Sequence, residues 1–350
     1  MPPGAALPSQ VEMRIMTAHR LGFAVKVLGA GGLPSHDARR WQSGPHLRHS
    51  LERLRRILDY LDEHDIRMYR VATALAPYAG HPELTNFHGQ VDDCAAGLAE
   101  LGQLARERDI RLSSHPGQYT VLNSVDPDIR AAAVAELDVQ AALFDAMGLG
   151  LDAVVVLHVG GTAGGIPAAR DRFLAGFERL SDAGRRRLVI ENDDRSFGTA
   201  DVVELAGGTG LRVVWDVLHH HCHDPAGMSD REAIGAALAT WPSELTPKIH
   251  YSSPRLDVEA RKVRRGRRVE RQIVLPQLRA HADLVDPMGF ERFMLDVAGE
   301  RDFDVMLEAK AKDLALLRLR AQLTARGFRS DDGRLFVAAG PQRVDGKSSE

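Results

Sequence analysis

Short apolar segments alternate with stretches of helical periodicity along most of this chain, and that alternation restricts its fold more than any other feature. The expected strands are residues 21–25, 68–72, 111–114, 153–159, 188–191, 213–217, 248–251 and 305–308. Val154-Val155-Val156-Leu157 and Leu188-Val189-Ile190 are apolar without a break. Strands buried on both faces read this way, as in parallel sheets covered by helices. Between them, Leu51, Leu54, Ile57, Leu58 and Leu61 recur at the three-four spacing of one helical face. Leu98, Leu101 and Leu104 do the same, and 131–147, 233–241 and 314–323 also read as helices. Eight strand–helix repeats give either a closed barrel or a doubly wound sheet.

The polar residues decide between these. His115, His158, Glu191, Asp216, His250 and Glu308 each stand at the end of an apolar strand, with His219 three residues past Asp216. An open sheet would spread them along a line, whereas a barrel brings its C-terminal strand ends to one mouth. The expectation is therefore an α/β protein with a single-domain TIM (β/α)8 barrel at 19–326. A flexible leader would cover 1–18 and a C-terminal tail 327–350. A basic insertion spans 254–271 and holds Arg261-Lys262-Val263-Arg264-Arg265-Gly266-Arg267-Arg268.

Composition narrows the setting. Two cysteines, Cys94 and Cys222, cannot form a disulfide framework and suit a reducing cytoplasm. No apolar run approaches a membrane span, and the first ten residues lack a secretory pattern. The formal net charge of −3 is not that of a generally basic nucleic-acid binder. Contact with DNA would have to use local basic patches or metal ions.

The 15 histidines are the unusual component. His36, His46, His49, His64 and His88 scatter over loops and helices and read as structural or solvated. With His81 and His281 added, the strand-end set numbers six histidines and three carboxylates: His81, His115, His158, His219, His250, His281, Glu191, Asp216 and Glu308. A four-coordinate metal needs only three or four protein ligands, so this set points to two or three ions. Mixed imidazole and carboxylate donors suit manganese, zinc or iron. Clustered dications about 3.5–4 Å apart suit in-line displacement at a phosphodiester. In His219-His220-His221-Cys222-His223, His219 is the expected ligand, and the others read as supporting or loop residues.

At this point the chain resembles the UV-damage endonuclease family. The matching segments are Arg20-Leu21-Gly22, Tyr69-Arg70-Val71, His115-Pro116-Gly117-Gln118-Tyr119, Leu157-His158-Val159-Gly160-Gly161, Glu191-Asn192-Asp193, Asp216-Val217-Leu218-His219-His220, Lys248-Ile249-His250 and Glu308-Ala309-Lys310. The resemblance implies a barrel related to the xylose isomerase-like enzymes, with up to three divalent metals, typically Mn²⁺, with Zn²⁺ or Mg²⁺ as alternatives. It implies incision of damaged double-stranded DNA immediately 5′ of a pyrimidine dimer or 6-4 photoproduct, leaving 3′-hydroxyl and 5′-phosphate ends. All nine strand-end residues fall on family ligand positions. Glu191, Asp216, Lys248 and Glu308 become the candidate catalytic groups, Lys248 matching a lysine that the family can carboxylate. Gln118 and Tyr119 match the pair that probes the damaged duplex. The family places Tyr after Arg-Leu-Gly and Asn four residues later. Here Phe23 keeps only a stacking ring and Val27 offers no hydrogen bond. Arg264 and Arg265, in the basic insertion, are candidate phosphate contacts.

The implied protein is a monomer with no nucleotide cofactor and no membrane partner. Three alternatives share this sequence pattern: a sugar isomerase or epimerase on the same barrel, a non-catalytic lesion-binding protein, and a general abasic-site endonuclease. The surplus of histidines and the His-Pro-Gly-Gln-Tyr loop weigh against the first, and the intact ligand set against the second.

Overall fold

Aliphatic and β-branched runs form the strands, and their pairing closes a ring. The computed structural model describes residues 16–338 except 267, 298 and 300. Eight parallel strands make the barrel: β1 (Met16–Ala24), β2 (Met68–Arg70), β3 (Arg111–Ser113), β4 (Val155–His158), β5 (Leu188–Glu191), β6 (Arg212–Asp216), β7 (Lys248–Tyr251) and β10 (Asp304–Leu307). Two antiparallel hairpins are added, β8 (Glu259–Arg265) with β9 (Arg268–Val274), and β11 (Arg329–Asp331) with β12 (Arg334–Ala338). Hydrogen-bonded neighbours run β4-β5-β6-β7-β10-β1-β2-β3. A single parallel bridge, Ser114 to Val155, joins β3 to β4.

Gly22 marks the tightest crossing of the wall. A Cβ there would lie 2.7 Å from the Met68 carbonyl oxygen and 2.9 Å from its Cβ, so β1 can approach β2 only with glycine. Outside the barrel, the helix Leu47–Glu63 buries Leu51, Leu54, Ile57, Leu58 and Leu61, the stripe its periodicity predicts, and Leu47 with them. The helix Pro127–Ala146 starts where Asp126 accepts the Asp128 and Ile129 N–H groups, with proline in its first turn. Helix Asp230–Ala239 begins on a Ser229/Glu232 capping box. Val155, Leu157, Leu188, Ile190, Val213 and Trp215 belong to the main apolar core, all essentially inaccessible.

The structure moves three expected boundaries. Residues 16–18, assigned to the leader, belong to β1 and pair with 336–338 of β12. Residues 329–338, assigned to the tail, form a hairpin because Leu335 and Val337 are 1% exposed and finish the core beneath β1. The insertion, expected over 254–271, carries an antiparallel ribbon that runs on to Val274. Its base is closed by a Pro254–His281 bridge and by Arg255 N–H to Ala280 O at 2.7 Å. Residues 1–15 of the expected leader, 339–350 of the expected tail, and Arg267 of the basic run lie outside the described residues.

The N-terminal end of the barrel is tied by charge. Asp304 accepts from Arg111 at 2.8 Å and from Arg20 at 3.2 Å, and Asp109 pairs with both Arg20 and Arg334. Conserving charge at that floor is a matter of stability. Chemistry in such barrels sits at the other end, where the strand ends meet.

Candidate metal centre and its clefts

The strand ends carry their imidazoles and carboxylates to one place. The rings of His250, His115, His158, His219 and His281 form a chain, with successive centroids 5.8, 5.2, 5.4 and 6.1 Å apart. Glu191, fully buried at the end of β5, lies among them. One oxygen is 2.9 Å from His250 Nδ1 and the other 2.9 Å from His115 Nε2, with His219 Nδ1 at 3.4 Å and His158 Nε2 at 3.7 Å. Three overlapping groups present ligand atoms within 4.8 Å of one another: His115–His250–Glu308, His115–His158–Glu191 and Glu191–Asp216–His219.

Local chain geometry sets these side chains. Asp216 caps the short helix Val217–Cys222 by accepting the His219 N–H at 2.7 Å, which fixes the spacing of Asp216-x-x-His219. Asn192 clamps the Asp216 backbone from both sides, donating to its carbonyl at 2.9 Å and accepting from its N–H at 2.8 Å. Gly160 adopts φ +108° against Asn123, whose amide donates to Gly161 O at 2.7 Å; this holds the turn that follows His158. His281 stands at the closed base of the ribbon, 3.6 Å from Glu308.

Burial works to raise the Glu191 carboxyl, but the imidazoles of His250, His158 and His115 outweigh it and hold the group well below the usual range. Glu308 behaves the same way, with Arg70 and then His250 as the opposing charges. Burial, joined by Glu191 and Glu308, pushes Asp216 up to about 6 despite His219. Burial also lowers His115 and takes His250 down to about 3. His219 moves the other way: burial opposes its charge, but Asp216 and Glu191 draw it up to about 11. The cavity thus places negative charge where positive charge is wanted, and a proton on His219 meets part of that demand.

Whether the donors fit a cation can be tested on the atoms left over. Asp216 Oδ2 and His158 Nδ1 are buried and have no hydrogen-bond partner among the described residues. Buried polar atoms are ordinarily paired, so two such atoms in one small cluster of imidazoles and acids fit a bound divalent ion. His250 carries a condition. Arg70 Nη2 is 2.8 Å from its Nε2 and can only donate, so Nε2 accepts and Nδ1 bears the proton facing Glu191. His250 joins a cation through Nδ1 only by giving up its bond to Arg70.

Seven of the nine expected ligands, His115, His158, Glu191, Asp216, His219, His250 and Glu308, thus come together, and His281 borders them. His81 is set apart. Its Nδ1 accepts the Glu83 N–H at 3.2 Å, and the residue lines a cleft of about 480 Å³ with Tyr78, Tyr119 and Glu136. Lys248 lies fully buried two residues before His250, its amine donating to Ser113 Oγ at 3.1 Å. Burial, reinforced by Arg70 and Arg111, brings that amine well below the usual lysine range.

Of the expected DNA contacts, Phe23 is corrected outright. It is 0% exposed and packs edge-on against Tyr69 at 5.4 Å, because 21–24 form a continuous apolar strand inside the wall. Val27 is likewise buried. Gln118 and Tyr119 are both exposed, Tyr119 at 84%, on the loop leaving β3. That loop borders two clefts. Tyr119 lines the one shared with His81, and Gln118 lines another of about 550 Å³ that contains His158, His219 and Arg279. Arg264 and Arg265 are exposed on the ribbon but, being adjacent in a strand, project from opposite faces.

Arg70 belongs to the matching segment Tyr69-Arg70-Val71, but nothing in the sequence assigns it a role. It stands at the end of β2 beside the candidate ligands, its guanidinium 2.5 Å from Glu308 and 2.8 Å from His250, and is 8% exposed. A basic residue closing an apolar strand, like the acids and histidines closing the others, was the available signal.

Residues 45–330 match the family model described as UV-endonuclease UvdE. A UV DNA damage endonuclease of Bacillus cereus (strain G9842) is 30% identical over 294 residues, covering 83% of this chain and 86% of that protein. A UV DNA damage endonuclease of Bacillus mycoides (strain KBAB4) is 31% identical over 288 residues, covering 80% and 83% respectively. The crystal structure of SacUVDE superposes with a TM-score of 0.74 at 28% identity, covering 88% of this chain and 99% of that one. A D-tagatose 3-epimerase-like protein, at 11% identity and a TM-score of 0.51, covers 87% and 96% and shares the fold alone.

Proposed function

The chain belongs to the UV-endonuclease UvdE family, and from that membership we propose that it is a metal-dependent DNA repair endonuclease acting on damaged double-stranded DNA. On this reading it hydrolyses the phosphodiester bond immediately 5′ of UV photoproducts, pyrimidine dimers and 6-4 photoproducts, leaving a 3′-hydroxyl and a 5′-phosphate. The observation that carries the reading is the cluster of His115, His158, Glu191, Asp216, His219, His250 and Glu308 beside the cleft that Gln118 lines.

These residues would hold two or three divalent ions, Mn²⁺ foremost, with Glu191 shared between groups and His281 at the rim. Such ions, when bound, supply concentrated positive charge to a phosphodiester undergoing in-line displacement. The chain's own residues do the rest. Glu191, Asp216 and Glu308 fix the charge of the pocket, and Arg70 holds Glu308 and His250 in place. Lys248 supplies a buried amine held toward its neutral form, the form that adds carbon dioxide with loss of a proton to become an anionic carbamate. Tyr119 and Gln118 stand exposed on the loop between the two clefts, each lining one of them, where a duplex would meet the protein. A stacking ring and an amide there can replace base contacts that a lesion has already weakened. The protein is read as a cytoplasmic monomer; among the described residues no helix is long and apolar enough to cross a membrane.

The test is nicking of UV-irradiated supercoiled plasmid with Mn²⁺ and with EDTA. The reading expects nicking that depends on the metal and on irradiation. Equal treatment of irradiated and intact plasmid, or full activity in EDTA, overturns it. Irradiated and abasic duplexes compared side by side define the lesion range.

A further inference from the structure

We propose that one face of the β8–β9 ribbon, the face carrying Lys262, Arg264 and Arg271, docks on the phosphate backbone of duplex DNA flanking the lesion. The inference rests on the nuclease reading for the identity of the duplex, and it goes beyond that reading by choosing a surface and its orientation.

Charge singles out the segment. Residues 254–281 carry nine basic and three acidic side chains in a chain whose formal net charge is −3, so the remainder carries −9. A body that acidic repels DNA as a whole, so this arm, the densest basic run in the chain, is a principal source of attraction beside any bound divalent ions. The arm leaves the C-terminal end of β7 and returns at His281, so its base stands on the rim of the metal centre. Its seven paired positions reach about 23 Å at ~3.3 Å per residue, comparable with the width of a duplex.

Strand alternation then divides the cations. Register places Lys262 opposite Arg271, Arg264 opposite Val269, and Ala260 opposite Ile273 on one face. No acid stands on that face, and its three cations have no ion pair among the described residues. The other face carries Arg261, Arg265 and Arg268, but also Glu259 and Glu270. Glu259 is taken up by Arg255 and by Arg261, the latter at 3.0 Å. Glu259, Val263 and Val274 on that side are half-buried, whereas every position of the first face is exposed. Val269 and Ile273, 62% and 64% exposed, lie between the free cations and give them an apolar bed. Two-stranded ribbons of this kind are one of the shapes that a DNA groove admits.

The test compares two charge-matched variants of the full chain binding an undamaged duplex of about 30 base pairs by fluorescence anisotropy. One combines Lys262→Ala, Arg264→Ala and Arg271→Ala; the other combines Arg261→Ala, Arg265→Ala and Arg268→Ala. Three lost phosphate contacts lower the slope of log affinity against log salt by about 2.7. Between about 50 and 200 mM salt the wild type should therefore lose about 40-fold more affinity than the first variant. The second variant should change that loss by less than about fourfold, one contact's worth. Equal slopes for the two variants, or an unchanged slope for the first, overturn the proposal. Self-association of the wild type that only the first variant abolishes would assign the face to a second copy of the chain and overturn it too. If the wild type fails to nick irradiated plasmid while the slopes still separate, the nuclease reading falls and the arm stands. If nicking is normal and the slopes coincide, the arm falls alone.

Discussion

Replacing Arg70 by methionine tests how the candidate metal centre is held together. Arg70→Met keeps the apolar stem of the side chain but removes the guanidinium between Glu308, at 2.5 Å, and His250, at 2.8 Å. Both acids of that corner, Glu191 and Glu308, are buried, and Glu308 is held below the usual carboxylate range first by Arg70. Breaking a buried pair by removing one partner costs about 3–5 kcal/mol, because the remaining charge is left without compensation. Unfolding entropy of about 2.1 cal/mol/K per residue gives roughly 0.7 kcal/mol/K for a chain of this size. The melting temperature in EDTA should therefore fall by about 4–7 °C. Added Mn²⁺ supplies the missing charge and finds His250 released from its donor, so it should raise the variant's melting temperature more than the wild type's. Differential scanning fluorimetry with EDTA and with Mn²⁺ reads both effects. A variant melting within about 1 °C of wild type in EDTA would show that Glu308 and His250 do not depend on Arg70.

Three further outcomes follow from the geometry. Glu191→Gln leaves one amide oxygen where His115 and His250 each face a carboxylate oxygen, so nicking should fall at least ~100-fold, the upper end of what even supporting groups of metal sites cost; retained activity with a native circular dichroism spectrum refutes the ligand assignment. Tyr119→Ala should reduce the preference for irradiated over intact duplex about tenfold, given 1–3 kcal/mol per stacked base, while bound Mn²⁺ by elemental analysis stays at the wild-type level. An unchanged preference removes Tyr119 from recognition. Leu335→Ala opens a cavity under β1 and should cost about 2–5 kcal/mol, read as a melting temperature lower by about 3–7 °C. A neutral result would mean that the terminal hairpin contributes no core.

The barrel was legible because its strands are apolar on both faces and stop abruptly at polar residues. That same abruptness located six of the seven clustered candidate ligands, and His219 followed from its spacing to Asp216. The terminal hairpin was missed although its signals were present. Asp332 and Gly333 both adopt positive φ, as a two-residue hairpin turn requires, and Leu335 and Val337 alternate with half-buried neighbours. Read as composition, the segment is polar; read as a turn between alternating strands, it is structure. Phe23 was placed by likeness to a family pattern, while its own setting, Leu21-Gly22-Phe23-Ala24, announced the core. Arg70 escaped because the arithmetic of ligands counts acids and imidazoles and omits the cation that balances them. Which face of the ribbon each arginine occupies needs the register, and residues 261–268 alone do not fix where the turn falls.

The pairing of β1 with β12 has a practical consequence for handling this chain. Met16 lies opposite Ala338 in an antiparallel ladder on the side of the barrel remote from the metal centre. A two-residue turn from 338 to 16, replacing residues 1–15 and 339–350, would make these strands an ordinary hairpin, so a chain shortened in that way can be circularly permuted there and reopened in an exposed outer loop. Labels or surface tethers fixed at this junction would leave the approach of a long duplex unobstructed.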